Sequence, residues 1–153
     1  MNQRVHNFSA GPCTLPLAVL EEGQAEFVNY HDSGMSLIEM SHRGKHFVSI
    51  YDEAVDLVRS VYGVPDEFDV LFLQGGATLQ FAMVPMNLLG AGKKGGYVNS
   101  GTWAKGALTD AGFYGEAYSA WDGSTCDFSR MPSSNEIEIQ PHTRYLHITS
   151  NET

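Results

Sequence analysis

Apolar residues recur at helical spacing in four stretches of the chain, and this pattern predicts four helices. The predicted ranges are about 16–30, 46–62, 77–89 and 103–111. Pro16 is a favourable residue for a first helical turn, and Gly63 stands where a glycine caps the C-terminal end of a helix.

Short apolar runs predict strands at residues 69–73, 97–99, 114–120 and 144–149. The first run, DVLFL, is nearly all apolar, which is typical of a strand buried on both faces of a parallel sheet. Strands and helices alternate from there onward, which favours an α/β fold with a mainly parallel sheet flanked by helices. By contrast, residues 1–14 predict an extended arm with a turn at Gly11-Pro12, and residues 122–141 are polar and irregular.

Polar or glycine-rich segments follow three of the predicted strands, at residues 74–78, 100–103 and 150–153. In open parallel sheets, ligands bind beyond the carboxyl ends of the strands. We therefore expect these three segments to converge on one shared site.

Residues 74–78 (QGGAT) are a candidate phosphate-binding cup, because they lie between a predicted strand and a predicted helix. Glycines let an anion approach the backbone, and a helix N-terminus supplies free N–H groups and the positive end of the helix dipole. The spacing matches neither the P-loop nor the dinucleotide fingerprint. A tight turn that binds nothing explains these residues about equally well.

Two further segments offer binding chemistry, each with a simpler alternative. Trp103 could stack on a planar ring beside an anion site, although in isolation a half-buried core tryptophan is the better interpretation. Residues 41–45 (SHRGK) hold three potentially cationic groups, and Arg43 offers a bidentate fork for a carboxylate or phosphate. A solvated polar turn is the usual explanation of such a run.

Composition narrows the function classes. With 153 residues, 42% apolar and 18% charged, the chain fits one globular domain, and its net charge of −9 disfavours nucleic acid and anionic membranes as partners. Cys13 and Cys126 lie far apart, and the six histidines lack metal-ligand spacing, so no metal site is predicted. The chain start has no signal-peptide core and no run is long enough to cross a membrane, so we expect a cytoplasmic protein.

Five segments, taken in order, resemble one family, the phosphoserine aminotransferases, which are fold type I enzymes dependent on pyridoxal 5′-phosphate (PLP). They are NFSAGP at 7–12, EMSHR at 39–43, FLQGGATLQF at 72–81, YVNSGTW at 97–103 and HITSNET at 147–153. Each motif is weak alone, but the resemblance covers essentially the whole chain. It implies that the chain is part of the large PLP-binding domain of such an enzyme.

The resemblance also implies roles for individual residues. Gly76 and Ala77 would donate backbone N–H groups to the PLP phosphate, Trp103 would stack on the pyridine ring, and Thr153 would hydrogen-bond near the ring hydroxyl. His42 and Arg43 would bind the acidic end of the substrate.

The reaction implied by the resemblance is amino transfer between glutamate and 3-phosphohydroxypyruvate, a phosphorylated three-carbon acid, in a homodimeric enzyme of serine biosynthesis. The family attaches its cofactor to a lysine as a Schiff base, and none of the four lysines here lies in a matching context: Lys45, Lys93, Lys94 and Lys105. We therefore expect residues 15–153 to be the N-terminal part of the large domain, without the small C-terminal domain, without a catalytic residue and inactive alone. The alternatives are a non-catalytic module that binds a phosphorylated metabolite, and a structural or dimerising fragment.

Overall fold

The computed structural model describes residues 4–152. The chain forms two compact units, Met1–Phe72 and Leu73–Thr153, called here the first and the second unit. Each unit has its own secondary structure, and the second contains the whole sheet.

The first unit is helical. Helix α1 spans Leu17–Glu26 and helix α2 spans Lys45–Tyr62, with short 3₁₀ turns at Tyr30–Asp32 and Leu37–Glu39. Helix α1 begins directly after Pro16, as predicted, but ends before residue 30. The reason is local competition: the Asn29 side chain accepts the Gly34 N–H at 2.8 Å, which favours a turn over another helical turn.

Helix α2 ends as its sequence predicts. Gly63 adopts the left-handed conformation (φ 61°), and its N–H donates to the Arg59 carbonyl. The Arg59 guanidinium then donates to the carbonyls of Pro65 at 3.1 Å and Phe68 at 2.7 Å. One side chain of α2 thus holds the loop that leaves the helix.

The two α-helices of the first unit are incompletely buried. Neither α1 nor α2 has a buried residue, and Leu57 and Val61 of α2 are 55% and 75% exposed. On the apolar face that the spacing predicts for α2, Phe47, Ile50 and Val58 are half-buried, whereas Val61 is exposed.

The predicted strand at residues 69–73 is absent, and its predicted burial is wrong. These residues adopt no regular structure, and Leu71, Phe72 and Leu73 are 67%, 52% and 52% exposed. A strand needs a neighbour to pair its N–H and C=O groups, and no strand among residues 4–152 pairs with this segment. Instead, the Phe72 ring contacts Tyr51 of α2 edge to face at 5.6 Å.

The second unit contains a three-stranded parallel sheet and two helices. Strands β1 (Lys94–Asn99), β2 (Glu116–Asp122) and β3 (Thr143–Ile148) lie in the order β2-β1-β3, and helices α3 (Gly76–Leu88) and α4 (Thr102–Ala111) pack on one another. The predicted α/β fold with a parallel sheet and flanking helices is confirmed. Strand β1 is central and mostly buried.

Glycines in β1 make room for tyrosines from both neighbouring strands. A Cβ added to Gly95 would lie 2.8 Å from the Tyr145 hydroxyl of β3, and one added to Gly96 would lie 2.9 Å from the Tyr118 hydroxyl of β2. These contacts explain why β1 tolerates two residues that strands usually disfavour.

The core of the second unit lies between β1 and α4. Tyr97 is 1% exposed and packs against Ala107 and Ala111, which are fully buried. Partly buried side chains, among them Phe81 of α3 and Tyr145 of β3, pack against this cluster. The small side chains of α4 let the helix approach the sheet closely, which fixes the position of its first turn.

Residues between β2 and β3 are irregular, as predicted, with 3₁₀ turns at Gly123–Cys126 and Ser134–Glu136. The Arg130 guanidinium binds both carboxylate oxygens of Glu136, at 2.9 and 2.7 Å. This pair, helped by hydrogen bonds from Ser133, lowers the pKa of Glu136 to about 2.

Residues 4–14 contain no helix or strand and are exposed, which fits an arm. The domain boundaries proposed from the sequence, 1–14 and 15–153, stay a prediction. Within residues 4–152, no helix is both long and apolar enough to cross a membrane.

Candidate functional site

The glycine cup forms the start of α3. Gly75 is the N-cap residue with φ 96°, and Gly76 is the first helical residue with φ 60°. Both angles lie in the left-handed region, which residues other than glycine rarely adopt. The two glycines therefore allow the chain to turn sharply into α3, and their lack of side chains leaves the backbone at the helix start accessible.

The amides of this cup are open donors. Gly75, Gly76 and Ala77 are exposed, and no side chain caps α3. Within residues 4–152 the N–H groups of Gly76 and Ala77 donate to no protein acceptor, whereas the Gly75 carbonyl already accepts the Leu79 N–H at 3.2 Å. Unpaired N–H groups at the positive end of a helix dipole are the chemistry that binds an anion.

The two glycines differ in the space around them. A Cβ added to Gly75 would lie 2.5 Å from Leu79 Cδ2 and 2.6 Å from Leu79 Cβ, whereas one added to Gly76 would meet no atom within 4 Å. Gly75 is thus required by packing within the turn. Gly76 borders open space on its Cβ side.

At the start of α4, by contrast, the backbone amides are not open, because a carboxylate of the same chain accepts their hydrogen bonds. Glu152 accepts the Trp103 N–H at 2.9 Å and the Ala104 N–H at 2.8 Å, and the Ser100 hydroxyl at 3.2 Å. The predicted meeting of segments 100–103 and 150–153 therefore occurs, as far as residue 152. Sequence reasoning did not single out Glu152, because a glutamate remote from a helix gives no capping signal.

Trp103 is the second residue of α4 and is 42% exposed. Its backbone is held by Glu152, while its indole keeps accessible surface. This exposure fits a half-buried tryptophan and also leaves part of the indole accessible to a planar ring, so both interpretations of Trp103 remain open. Thr153 lies outside the described residues, and its predicted role stays a prediction.

A histidine connects the α3 side of the unit with β3. The His147 ring stacks on the Tyr97 ring with the ring centroids 5.0 Å apart, and it meets the Phe81 ring of α3 edge to face with the centroids 5.8 Å apart. Its Nε2 also shares a hydrogen bond with the Thr149 hydroxyl at 3.1 Å. Burial lowers the pKa of His147, and the charge of Glu152 acts in the opposite direction. His147 is therefore a neutral packing residue at neutral pH.

Tyr97, which is buried, and Tyr145, which is half-buried, form a polar pair with their hydroxyls 2.6 Å apart. Burial raises the pKa of Tyr97, and the hydrogen bond to Tyr145 acts in the same direction. Neither hydroxyl ionises near neutral pH. The pair stiffens the contact of β1 with β3 and offers no acid–base group.

His42 and Arg43 belong to the first unit, in a turn directly before α2. The Gly44 N–H donates to the Ser41 carbonyl at 2.8 Å, and the Arg43 N–H to the Ser41 hydroxyl at 3.3 Å. Both side chains are exposed, and the Arg43 guanidinium forms no ion pair or hydrogen bond with any residue between 4 and 152. His42 lines an open pocket of 330 Å³ together with Phe47, Val48 and Tyr51.

The structure thus brings Trp103 together with the end of the chain and leaves the cup amides open within the same unit. The gathering of Gly76, Ala77, Trp103 and Thr153 in one concave site stays a prediction. Residues 4–152 contain no group of three or more His, Cys, Asp or Glu side chains arranged to hold a metal ion.

Comparison with known proteins agrees with this geometry. The model of the family "Aminotransferase class-V" matches residues 5–153. The chain is 46% identical to the phosphoserine aminotransferase of Desulfotalea psychrophila over 153 residues, and 48% identical to that of Nitrosomonas europaea over 151 residues. These alignments cover 100% and 99% of this chain, but only 42% and 41% of the relatives.

Solved structures show the same relationship. The phosphoserine aminotransferase of Bacillus circulans subsp. alkalophilus matches 98% of this chain at a TM-score of 0.91 and 46% identity. The PLP-bound enzyme of Trichomonas vaginalis matches 98% at a TM-score of 0.87 and 35% identity, and the chain spans 42% of each of these structures. With its α/β fold, its glycine-started helix and a family match over nearly its whole length, the chain belongs to the class-V aminotransferase family.

Proposed function

We propose that this chain is the part of a PLP-dependent phosphoserine aminotransferase that holds the cofactor phosphate and one face of its ring. The complete reaction would transfer an amino group between glutamate and 3-phosphohydroxypyruvate, giving phosphoserine and 2-oxoglutarate. The observation that carries the proposal is the pair of open amides, Gly76 and Ala77, at the glycine start of α3.

The cup fits a phosphate on physical grounds. The protein carries a net charge of −9, and no basic side chain occurs among residues 74–78. Backbone N–H groups and the helix dipole attract an anion without such a side chain. A hydrogen bond to a charged group contributes about 1.5–3 kcal/mol, so two amides are enough for a specific contact.

Trp103 supports the second part of the proposal. A tryptophan whose backbone is fixed at a helix start and whose indole is 42% exposed is suited to lie against a planar ring. When bound, PLP supplies the electron sink for amino transfer. The role of this chain would be to position the ring, with Trp103 on its face and Thr153 near its hydroxyl.

His42 and Arg43 would bind the acidic end of the substrate. The Arg43 guanidinium has no carboxylate partner among the described residues, so its fork is available to a substrate carboxylate. The neighbouring imidazole of His42 is also exposed. This part of the proposal, together with a cytoplasmic location and a homodimer for the whole enzyme, is supported by the family resemblance.

We assign no catalytic residue to this chain. Lys94, for example, is bound to the Glu116 carboxylate at 2.5 Å and the Gln140 side chain at 3.2 Å. Its amine is therefore engaged at the N-terminal end of the central strand β1, away from the strand's carboxyl end.

The test is a binding titration of the 153-residue chain with pyridoxamine 5′-phosphate, followed by tryptophan fluorescence. This probe has the ring and phosphate of PLP, but its amine cannot attach to surface lysines as an aldehyde would. Pyridoxamine, which lacks the phosphate, is the matched control ligand.

We expect saturable binding of pyridoxamine 5′-phosphate and binding of pyridoxamine at least about 10-fold weaker, because the phosphate contacts contribute most of the affinity. Equal affinities would contradict the cup. Inorganic phosphate that competes fully, while the ring adds nothing, would favour the non-catalytic phosphate-binding module instead.

A further inference from the structure

The second unit presents two helix N-termini, and they differ in one respect. Helix α3 starts with open amides at Gly76 and Ala77. Helix α4 starts with the amides of Trp103 and Ala104, both bound by Glu152. Each terminus attracts negative charge through the same physics, so an anion has two candidate positions unless one of them is filled.

The Glu152 carboxylate accepts hydrogen bonds from three groups at or just before the start of α4. One carboxylate oxygen accepts the Ala104 N–H at 2.8 Å and the Ser100 hydroxyl at 3.2 Å, and the other accepts the Trp103 N–H at 2.9 Å. Glu152 is only partly exposed. Charge-assisted bonds of this length are stronger than bonds between neutral groups.

Gly101 provides an independent indication that the site is shaped for this carboxylate. A Cβ at Gly101 would lie 2.7 Å from Glu152 Oε2 and 2.8 Å from its Cδ. The φ of Gly101 is 165°, an extended value open to any residue, so backbone conformation does not require glycine here. Closeness of the carboxylate accounts for the absence of a side chain.

We infer that Glu152 is a positioning residue. Its carboxylate occupies the N-terminus of α4, so that a phosphate can bind only at the N-terminus of α3. The same contact ties the carboxyl end of β3 to the backbone of Trp103, and so holds the start of α4 in place. This inference rests on the proposed cofactor-binding function. It explains why an anion would bind at the start of α3 and not at the start of α4, although the two helix N-termini are otherwise similar.

The test is residue-resolved amide hydrogen exchange of the full 153-residue chain, with and without inorganic phosphate. Mass spectrometry is suitable because it tolerates self-associated protein. Five variants are compared with wild type. Three change the contact, Glu152→Ala, Glu152→Gln and Gly101→Ala, and two are controls, the charge-matched Glu138→Ala and Gly106→Ala. Glu138 is exposed and its side chain makes no described contact, so its removal changes the net charge alone.

In wild type, we expect phosphate to slow exchange at Gly76 and Ala77 and to leave Trp103 and Ala104 unchanged. In Glu152→Ala, the amides of Trp103 and Ala104 should exchange about 5- to 30-fold faster, the range expected for loss of a helix cap. Phosphate should then slow them again, because the vacated helix start accepts the anion. Glu138→Ala should behave as wild type.

The other two variants separate a cap from general damage. Glu152→Gln keeps one acceptor oxygen and should give intermediate protection. Gly101→Ala keeps Glu152 but displaces its carboxylate, so it should reproduce the result of Glu152→Ala. Gly106→Ala is its matched control, because a Cβ there meets no atom within 4 Å.

Phosphate protection of Trp103 and Ala104 in wild type would overturn the inference, as would unchanged exchange of these amides in Glu152→Ala and Gly101→Ala. The proposed function fails separately. If phosphate protects Gly76 and Ala77 in no variant, the cup is refuted, while the response of the α4 amides still decides the role of Glu152.

Discussion

Replacing Gly76 by valine tests the phosphate cup most directly. Gly76 has φ 60°, where an ordinary residue is strained by about 1–2 kcal/mol and a β-branched one by more. A Cβ at this position meets no protein atom within 4 Å, so the substitution does not disturb the packing of the turn. The effect of valine must therefore come from the backbone and from its intrusion into the space beside the open amides.

The magnitude follows from the amides. If the backbone at residue 76 relaxes towards negative φ, the N–H groups of Gly76 and Ala77 no longer point to a common position. A hydrogen bond to a charged phosphate contributes about 1.5–3 kcal/mol, and about 1.4 kcal/mol corresponds to a factor of ten in affinity. Loss of one such bond should weaken binding by about 10- to 150-fold.

The control is Ala77→Ser, which keeps the backbone donor and adds one hydroxyl at an exposed position. Its effect should stay within about twofold, the usual range for an exposed substitution. Both variants are titrated with pyridoxamine 5′-phosphate, and circular dichroism checks that α3 is retained. If Gly76→Val binds as tightly as wild type, or if Ala77→Ser loses as much affinity, the amides of the cup do not hold the phosphate.

Four further outcomes are expected. The isolated chain should self-associate or unfold at low denaturant concentration, because apolar side chains of α1 and α2 such as Val19 and Val61 are exposed, and β2 and β3 are open edges of the described sheet. A monomer in analytical ultracentrifugation with cooperative unfolding at high temperature would contradict this. Arg43→Lys is tested in a chimera in which this chain is completed with the remaining length of the Desulfotalea psychrophila relative. It should raise KM for glutamate about 10-fold or more, because the bidentate fork is lost, and leave PLP affinity unchanged. Equal losses of glutamate and PLP affinity would refute the assignment. The pKa of Glu136 is lowered to about 2, so its ion pair stabilises the folded chain above about pH 4.5 and is lost as pH falls towards 2; NMR titration of this carboxyl with an ordinary midpoint would disprove the pairing. Gly75→Ala should destabilise the chain by about 1–3 kcal/mol in urea unfolding, since φ is 96° and the new Cβ meets Leu79, and it should cost more than Gly76→Ala, where the space is open.

Local signals explain why several elements could be predicted. The helix at 46–62 and its glycine cap correspond to Lys45–Tyr62 and Gly63, because helical periodicity and a left-handed cap depend on neighbours in sequence. The strand predicted at 97–99 is real but longer, Lys94–Asn99. Its first residues include Gly95 and Gly96, whose role becomes visible only when the tyrosines of the flanking strands are present.

The segment at 69–73 illustrates the limit of such signals. Its apolar run predicted a buried strand, yet it is exposed and unpaired among the described residues. A strand is stabilised by hydrogen bonds and side chains from elsewhere in the chain, and sequence composition reports only its capacity for pairing. The same holds for α2, where periodicity identifies an apolar face but not what covers it.

By itself, the sequence determined the α/β class, the alternation of strands and helices in the second unit and the two glycines that begin α3, since each depends on residues within a few positions of one another. Its motifs also indicated the family. Only the tertiary structure decided the strand order β2-β1-β3, the open amides of Gly76 and Ala77, and the capping of α4 by Glu152. Glu152 lies 49 positions beyond Trp103, and a hydrogen bond across that distance depends on how the sheet brings two strand ends together, which no local pattern encodes.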